Sequence, residues 1–345
     1  MKNNSIIYFI SPIESSFIKI DRDILSSEFE VLENKFDWVT KAKTPLSLLK
    51  QFFFLLSNIK KLDAIVVSFG GYWSLLPSLF GRLFSVPCFI ILHGTDCASI
   101  PSLNYGNLRG GLLKWAIKNS YARATKLLPV SESLIKVENT YNNVKEEVKQ
   151  GVKNHFPQLK INYETVFNGI DIDFWKNVNE KSRNPESFLT VFGQSQFELK
   201  GGDLIVELSR RNSDKKFKIV GYTPNKIRNY PPNLEFTGRV SQQELRDLYF
   251  ETTYYFQLSV YEGFGCALCE AMLCGATPIV SSVNMLPEIV GDLGYVLNHR
   301  DISELDDLIS KKLTISKPKL LHSKIVERFS LRQRNLKLLS QIKAK

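Results

Sequence analysis

Short runs of β-branched and aromatic residues alternate with longer helical patterns along the whole chain, and this alternation restricts the fold more than any other feature. Such alternation is typical of parallel sheets joined by crossover helices, so both halves of the chain are predicted to be α/β. The predicted strands are 6–10, 29–34, 64–69, 88–92 and 126–130 in the first half, and 187–192, 216–220, 233–236, 254–258 and 277–280 in the second.

The length of 345 residues favours two domains. We predict a first domain over 1–170, a second over 171–330, and a C-terminal helix over 331–345, with a polar linker near 170–186. The last helix spaces Leu331, Leu336, Leu339 and Ile342 as one apolar face.

Composition excludes several classes of protein. Apolar residues make up 43% of the chain, and no window approaches the length of a spanning helix, so we predict a globular protein. Five cysteines without a secretion signal favour a reducing cytoplasm over a disulfide framework. A net charge of +10 predicts an anionic partner, which could be nucleic acid, a membrane surface or a phosphorylated substrate.

The strongest local pattern is a pair of carboxylates, Glu262 and Glu270, with seven residues between them. A Gly263-Phe264-Gly265 turn follows the first, directly after a predicted strand, and a helix is predicted to start near Cys266. Glycines allow close backbone approach, and a helix N-terminus directs free N–H groups and a dipole toward a ligand. The pattern therefore predicts a ligand with anionic oxygens, although a plain strand-turn-helix with solvated glutamates would share it.

This block resembles the glutamate motif of the retaining glycosyltransferases of family 4. Other segments fall in the family's order: His93-Gly-Thr-Asp96, Leu128-Pro-Val-Ser131, Val166-Phe-Asn168-Gly169, Gly193 with Lys200-Gly201, Phe236-Thr-Gly238 and Pro287-Glu288. The resemblance implies a GT-B fold, in which two Rossmann-like domains face each other across a cleft, the second binding the nucleotide sugar and the first the acceptor. It also implies that the C-terminal helix crosses back to the first domain.

By the same resemblance, Glu262 contacts the donor sugar and Glu270 the nucleotide ribose. The turn from Gly263 to Gly265, with the backbone amides of Phe264 and Gly265, would face the donor phosphates and sugar.

Lys200 ends a loop after a predicted strand and opens the next helix, so its ammonium can reach a diphosphate. An ordinary surface lysine at a helix start is the alternative. In the family an arginine often follows the glycine at 193, whereas Gln194 stands here. Arg239, after Gly238, could compensate, although the resemblance puts that segment nearer the nucleobase.

His93 lies at the carboxyl end of a predicted parallel strand, where open α/β sheets bind ligands. The resemblance implies contact with the donor sugar or its β-phosphate. A lone histidine is more often structural, which is the alternative. Asp96 is predicted either to bind the acceptor or to cap the following turn.

Two patterns indicate metal sites, and we favour the alternative for each. Cys266, Cys269 and Cys274 resemble part of a zinc knuckle but lack a fourth ligand, so they are predicted to be packed side chains. Asp171 and Asp173 could bind a metal, but they follow Asn168-Gly169 in a turn. The sequence thus predicts no essential metal and no cofactor beyond the nucleotide sugar.

A helix over 45–61 has a wide apolar face formed by Leu46, Leu48, Leu49, Phe52, Phe53, Leu55, Leu56 and Ile59. Phe54 stands on the polar side, among Ser47, Lys50, Gln51, Asn58 and Lys61. An aromatic among lysines suits an anionic membrane surface, reached through an exposed Phe54. The alternative is a core helix with Phe54 incidental.

Together these features predict a hexosyltransferase-type enzyme. It would move a sugar from a nucleoside-diphosphate donor to a hydroxyl of a glycan or lipid-linked acceptor at the cytoplasmic membrane face. Retention of configuration and a place in cell-surface polysaccharide or glycolipid synthesis are implied by the resemblance alone. The alternatives are a sugar-nucleotide epimerase of the same fold and a catalytically silent subunit that binds a nucleotide sugar or a partner transferase. Nucleic-acid binding is disfavoured because the basic residues are dispersed and no binding module is recognised.

Overall fold

A computed structural model describes residues 5–142, 148–176, 183–224 and 229–343. The chain divides into two compact units. The first contains Met1–Val137, Lys149–Gly169 and Arg332–Lys345, and the second contains Glu138–Val148 and Ile170–Leu331. Residues 177–182 of the predicted linker lie outside the described residues.

A five-stranded parallel sheet forms the centre of the first unit, in the order β2-β1-β3-β4-β5. All residues of β3 and β4 are buried, as in strands that are covered on both faces. The five predicted strands are confirmed, with small shifts at their ends. The strands are β1 (Ile6–Ile10), β2 (Glu30–Glu33), β3 (Ala64–Ser68), β4 (Cys88–Leu92) and β5 (Lys126–Pro129).

The helices of this unit connect successive strands, as expected for parallel pairing. They are α1 (Ser16–Glu28), α2 (Thr44–Asn58), α3 (Tyr72–Leu83) and α4 (Gly111–Arg123), and a short α5 (Val152–His155) comes later.

Two strands were not predicted, β6 (Val137–Asn139) and β7 (Val148–Gln150). Three residues are too few for an alternating pattern to be recognised.

The second unit is built on a six-stranded parallel sheet in the order β10-β9-β8-β11-β12-β13. Five of these strands were predicted and are confirmed, whereas the three-residue β13 was not. The strands are β8 (Asn184–Val191), β9 (Lys216–Val220), β10 (Leu234–Gly238), β11 (Thr252–Gln257), β12 (Thr277–Ser281) and β13 (Tyr295–Leu297).

Helices connect most successive strands of this sheet in the described part of the chain. They are α6 (Ile172–Trp175), α7 (Gly202–Arg211), α8 (Gln242–Glu251), α9 (Cys266–Leu273), α10 (Leu286–Val290), α11 (Ile302–Ser310) and α12 (Pro318–Phe329). A capping box starts α8, since Ser241 Oγ accepts from the Glu244 N–H at 3.2 Å and the Ser241 N–H donates to Glu244 Oε2 at 2.8 Å. No helix in the described part of the chain is long and apolar enough to cross a bilayer.

The last helix, α13 (Leu331–Lys343), corrects the predicted apolar face. Leu336 is exposed, whereas Arg334 is buried and forms an ion pair with the buried Asp21 of α1. The buried side of α13 therefore runs through Arg334, Leu338 and Ile342, at intervals of one helical turn. A helical wheel based on residue polarity predicts the wrong buried side, because it places Arg334 in solvent. In the structure Arg334 is buried with its charged partner, Asp21.

The orientation predicted for the 45–61 helix is wrong. Gln51 and Ser47 of α2 are buried, and their side chains donate hydrogen bonds to the Trp73 carbonyl at 3.0 Å and the Asp37 carbonyl at 2.6 Å. Phe54 is only partly exposed, with its ring 4.5 Å from that of Tyr8. Two residues of the predicted polar side, Ser47 and Gln51, thus face the interior, because local carbonyls accept from their polar groups.

Candidate active site

The predicted site residues of the second unit lie at one edge of its sheet. Gly193 and Lys200 follow β8, Gly238 ends β10, and Glu262 follows β11. These strands are parallel, so the loops after their carboxyl ends leave the same edge, which is where open α/β sheets bind ligands.

Lys200 and Glu262 form an ion pair at this edge. Lys200 Nζ lies 2.6 Å from Glu262 Oε2, and each side chain is only 13% exposed. The same oxygen accepts from Gln257 Nε2 at 2.7 Å and from Ser259 Oγ at 3.1 Å. Among the described residues, none donates to the other oxygen, Oε1. The carboxylate is thus fixed through one oxygen and leaves the second available to a ligand hydroxyl.

Close packing of two loops brings this pair together. Gly201 has a φ of +74°, and a Cβ added there would lie 2.7 Å from the Leu258 carbonyl oxygen. The Val260 N–H donates to the Leu199 carbonyl at 2.8 Å, which ties the loop after β11 to the loop after β8. Only glycine fits at 201 without strain or displacement, so the position of Lys200 depends on it.

The glycine turn opens α9. Gly265 caps the helix with a φ of +113°, and a Cβ there would lie 3.0 Å from Leu286 Cδ2. The Phe264 side chain is 2% exposed and packs edge-on against Phe329, with 5.3 Å between ring centroids. Phe264 can therefore offer a ligand only its backbone. The first N–H groups of an α-helix have no partner within the helix, which suits anionic oxygens.

Glu270 lies further along α9 and is partly buried. Burial raises the pKa of its carboxyl to about 8. No hydrogen bond to this carboxyl is made by any residue that the structure describes. A carboxyl with a raised pKa and no donor from the described residues is a candidate for contact with a ligand.

Gln194, which stands where the family often has arginine, ties two loops together. Its Nε2 donates to the Thr223 carbonyl at 2.7 Å, and its Oε1 accepts from the Thr223 N–H at 3.0 Å. Gly193 is exposed and open. Gly238 has a φ of +65°, and a Cβ there would lie 2.8 Å from Thr223 Oγ1. Arg239 is exposed and forms no ion pair with the described residues.

Three residues that hold Glu262 were not predicted. Gln257 ends β11, Ser259 follows it, and Asn284 Oδ1 accepts from the Glu262 N–H at 3.1 Å. The sequence signal that could have found Gln257 is a polar residue at the carboxyl end of an apolar strand, and this residue is buried in the structure. Asn284 follows β12 and has a φ of +50°, which asparagine tolerates better than most residues. Its contact is visible only in the tertiary structure.

His93 follows β4 in the first unit, as predicted. Its ring lies 4.4 Å from the ring of Phe69 and 4.8 Å from that of Phe17. Both ring nitrogens are buried without a hydrogen-bond partner. Burial, with a smaller contribution from the Arg334 charge, holds the pKa of His93 well below its usual value, so the ring is neutral. Its donor contact stays a prediction.

Asp96 does not fit the predicted contact with an acceptor, because its side chain is completely buried. Oδ2 accepts from the Gly70 N–H at 2.8 Å and the Tyr121 hydroxyl at 2.9 Å. Oδ1 accepts from the N–H groups of Gly94 at 3.0 Å and His93 at 3.2 Å. The alternative role therefore applies, since Asp96 fixes the turn after β4.

The two patterns considered for metals have other roles in the structure. Asp171 caps α6 by accepting from the Phe174 N–H at 3.0 Å. The Cys274 thiol is buried and donates to the Trp175 carbonyl at 3.2 Å. Within the described ranges, no three His, Cys, Asp or Glu side chains are grouped so that they could hold a metal ion.

Comparison with known proteins relates the second unit to a family of enzymes. Residues 172–325, which contain the Lys200–Glu262 pair and the glycine turn, match the family model of glycosyl transferases group 1. The match covers most of the second unit. Among solved structures, the chain is similar to sucrose-phosphate synthase from Thermosynechococcus elongatus, with a TM-score of 0.74, 14% identity, and 99% and 98% of the two chains covered.

The chain is also similar to HepE from Anabaena, whose structure is in complex with UDP and glucose, with a TM-score of 0.69 and 14% identity, over 99% and 100% of the two chains. These likenesses confirm the predicted GT-B fold class. The O-antigen chain mannosyltransferase B of Escherichia coli is 36% identical over 80 residues, which are 23% of this chain and 21% of that protein. The matched stretch thus spans about a fifth of that relative.

Proposed function

We propose that the protein transfers a sugar from a nucleoside-diphosphate donor to a hydroxyl of a glycan or lipid-linked acceptor. The observation that carries this proposal is the Lys200–Glu262 pair, held beside the glycine turn at the start of α9. A fixed cation and the N-terminus of a helix suit a diphosphate, and a carboxylate with one open oxygen suits a sugar hydroxyl. The match of residues 172–325 to the group 1 glycosyl transferases supports the same reaction.

In this proposal the donor phosphates lie near Lys200 and the turn from Gly263 to Gly265, and the ribose hydroxyls donate to Glu270. Gly193, Gly238 and Arg239, on neighbouring loops of the same edge, belong to the donor site as well. Lys200 would turn from Glu262 toward the phosphates. One preorganised donor that contacts the charge developing in the transition state lowers the activation free energy by about 3 to 4 kcal/mol.

The reaction would retain the anomeric configuration. The bond between the anomeric carbon and the β-phosphate oxygen breaks as the acceptor oxygen bonds to the same carbon on the same face. The acceptor proton passes to the departing phosphate, so the enzyme needs no nucleophilic carboxylate. No essential metal is required in this scheme, because Lys200 and the helix N–H groups take up the phosphate charge.

The biological setting belongs to the proposal too. A relative is an O-antigen chain mannosyltransferase, which supports a place in cell-surface polysaccharide synthesis. Sugar nucleotides and lipid-linked acceptors meet at the cytoplasmic face of the membrane, where we place the protein. Nucleic acid is not a partner in this scheme.

A panel of UDP-, GDP- and ADP-sugars tests the proposal, with nucleotide release measured with and without a lipid-linked glycan acceptor. We expect release from one donor class, increased by acceptor and accompanied by a glycosylated product. Conversion of the donor to its epimer would favour the epimerase. Tight binding of a nucleotide sugar without release, in the presence of several acceptors, would favour the silent subunit. Either of these results would contradict the proposed transfer.

A further inference from the structure

Helix α2 presents an apolar stripe to solvent. Leu46, Leu49, Phe53 and Leu56 are each between 52% and 57% exposed. They follow one another at three- and four-residue intervals, so they lie on one side of the helix. The opposite side carries the buried Gln51 and is held by its hydrogen bond to the Trp73 carbonyl. This orientation fixes the stripe outward.

The stripe continues onto the end of α3 through a series of aromatic contacts. Phe53 packs edge-on against Phe52 at 5.6 Å, Phe52 against Phe80 at 5.5 Å, and Phe80 stacks on Phe84 at 5.8 Å between ring centroids. Phe84 and its neighbour Leu83 are exposed. Two adjacent helices thus share one apolar surface, which we call the α2–α3 surface. Contiguous exposed apolar patches mark interaction sites.

The segment that carries this surface accounts for nearly all of the net charge. Residues 38–131 contain eleven lysines and arginines but only two acidic residues, Asp63 and Asp96, a net charge of +9 against +10 for the whole chain. Basic residues are no denser here than elsewhere; acidic residues are depleted. Asp96 is completely buried, and Asp63 is only partly exposed, with Oδ2 accepting from the Ile6 N–H at 2.9 Å.

The cations around the α2–α3 surface are not neutralised by the protein. Lys50 lies on α2, Lys60 and Lys61 follow its end, and Arg82 is on α3. All four are exposed, and none of them forms an ion pair within the part of the chain that the structure describes. Exposed aromatic and leucine side chains edged by unpaired basic residues are complementary to lipid headgroups with anionic charge.

We propose that the α2–α3 surface docks the protein on an anionic lipid bilayer. Phe53, Leu49 and Leu56 would enter the boundary between headgroups and acyl chains, while the lysines contact the lipid phosphates. A second copy of the chain is a poorer occupant, because a symmetric contact through this surface would bring the lysines of both copies together. The docking does not depend on the reaction proposed above. Phe53 thus takes the inserting role that was predicted for Phe54, which is only partly exposed and packs against Tyr8.

Sedimentation with lipid vesicles tests the proposal. One set contains only phosphatidylcholine, and the other has a quarter of its lipid replaced by phosphatidylglycerol. We expect recovery with the anionic vesicles alone, and a decline between about 0.05 M and about 0.5 M salt as the Debye length shortens. Phe53→Ser and Leu56→Ser should each lower the partition coefficient about tenfold, since each removes most of one apolar side chain that the bilayer would bury.

The controls separate docking from folding. Leu336→Ser changes a leucine of similar exposure on α13 and should leave the partition coefficient unchanged. Lys60→Gln with Lys61→Gln should weaken binding to anionic vesicles and reduce its salt dependence. Equal recovery of the wild type with both vesicle types, or unchanged binding of Phe53→Ser, would overturn the proposal. A concentration-dependent dimer in sedimentation velocity that Phe53→Ser abolishes would assign the surface to a second copy instead.

Discussion

At the scale of single residues, the candidate donor site is defined by how its charged groups are paired. Lys200 and Glu262 contact each other, and Glu262 is further held by Gln257 and Ser259. A ligand phosphate must therefore compete with a carboxylate for Lys200. Glu270, in contrast, has no donor among the described residues. One acidic group of the site is thus paired within the protein, whereas the other can accept a hydrogen bond from a ligand.

Substitution of the pair tests its role in turnover. Lys200→Ala and Glu262→Gln should each lower turnover on the native donor about a hundredfold or more, the scale seen when a preorganised charged group is lost. Lys215→Ala is the matched control, because Lys215 is also 13% exposed and paired with a carboxylate, that of Glu186. If both variants turn over normally, the pair has no role in transfer.

Glu270 predicts a pH dependence of stability. Its folded pKa of about 8 lies above the usual 4.5, so the folded state keeps a proton that the unfolded state loses. Its contribution to stability is complete below pH 4.5 and is lost as the pH rises to about 8. Glu270→Gln should therefore gain melting temperature over the wild type across this interval, and keep the gain above it.

Thermal unfolding between pH 4.5 and 9 measures this difference. Each pKa unit corresponds to about 1.4 kcal/mol, so a partial shift is still detectable. Glu207→Gln is the control, because the hydrogen bond from Arg211 lowers the pKa of Glu207 and its difference from the wild type should therefore stay constant over this range. A constant difference between Glu270→Gln and the wild type over the whole range would refute the raised pKa.

At the scale of secondary-structure elements, the starts of two helices determine the local geometry of the candidate site. Gly201 caps α7 and Gly265 caps α9, both with positive φ. These caps place Lys200 and the glycine turn directly before the two helices. The N-termini of α7 and α9 therefore position the site. In the sequence these N-termini are marked by glycine rather than by the Ser, Thr or Asp of an ordinary N-cap.

Gly201→Ala tests this arrangement. The added Cβ meets the Leu258 carbonyl at 2.7 Å, so the loop with Lys200 must shift, and we expect nucleotide affinity measured by calorimetry to fall about tenfold or more. Gly111→Ala is the control, with a similar φ of +69° but no neighbour within 4 Å. The idea fails if the two variants bind the nucleotide equally well.

At the scale of the whole molecule, the first unit is completed by residues from both ends of the sequence. Arg334 Nε and Nη2 contact the Asp21 carboxylate at 2.5 and 2.6 Å, with both side chains buried. Nη1 donates to the Val166 carbonyl at 3.0 Å and the Phe167 carbonyl at 2.7 Å. A single guanidinium thus joins α13 and α1 to the end of the segment Lys149–Gly169.

Arg334→Ala should destabilise the first unit by about 3 to 5 kcal/mol, because it leaves a buried carboxylate without its partner. Hydrogen exchange of peptides from α1 and β1 should accelerate, and peptides from β8 and β11 provide the internal comparison. The double variant Asp21→Leu, Arg334→Met should recover much of the loss, since no buried charge remains. Unchanged exchange in α1 of Arg334→Ala would show that the pair contributes little.

The sequence by itself determined the α/β class, ten of the strands, the GT-B resemblance and most of the candidate donor site. These depend on local periodicity and on glycines and charged residues at fixed spacings after strands, which a single chain displays directly. The neighbours that hold Glu262 could not be predicted completely, because Asn284 reaches it from a separate loop.

Only the tertiary structure decided which side of a helix is buried. On α2 the polar Gln51 turns inward and Phe53 outward, and on α13 Arg334 is buried while Leu336 is exposed. Burial of Asp96 likewise excludes its predicted contact with the acceptor. In each case a distant group, such as the Trp73 carbonyl or the Asp21 carboxylate, satisfies the polar side chain. Polarity along a sequence contains no information about such partners, so it cannot show which polar groups are stable in the interior.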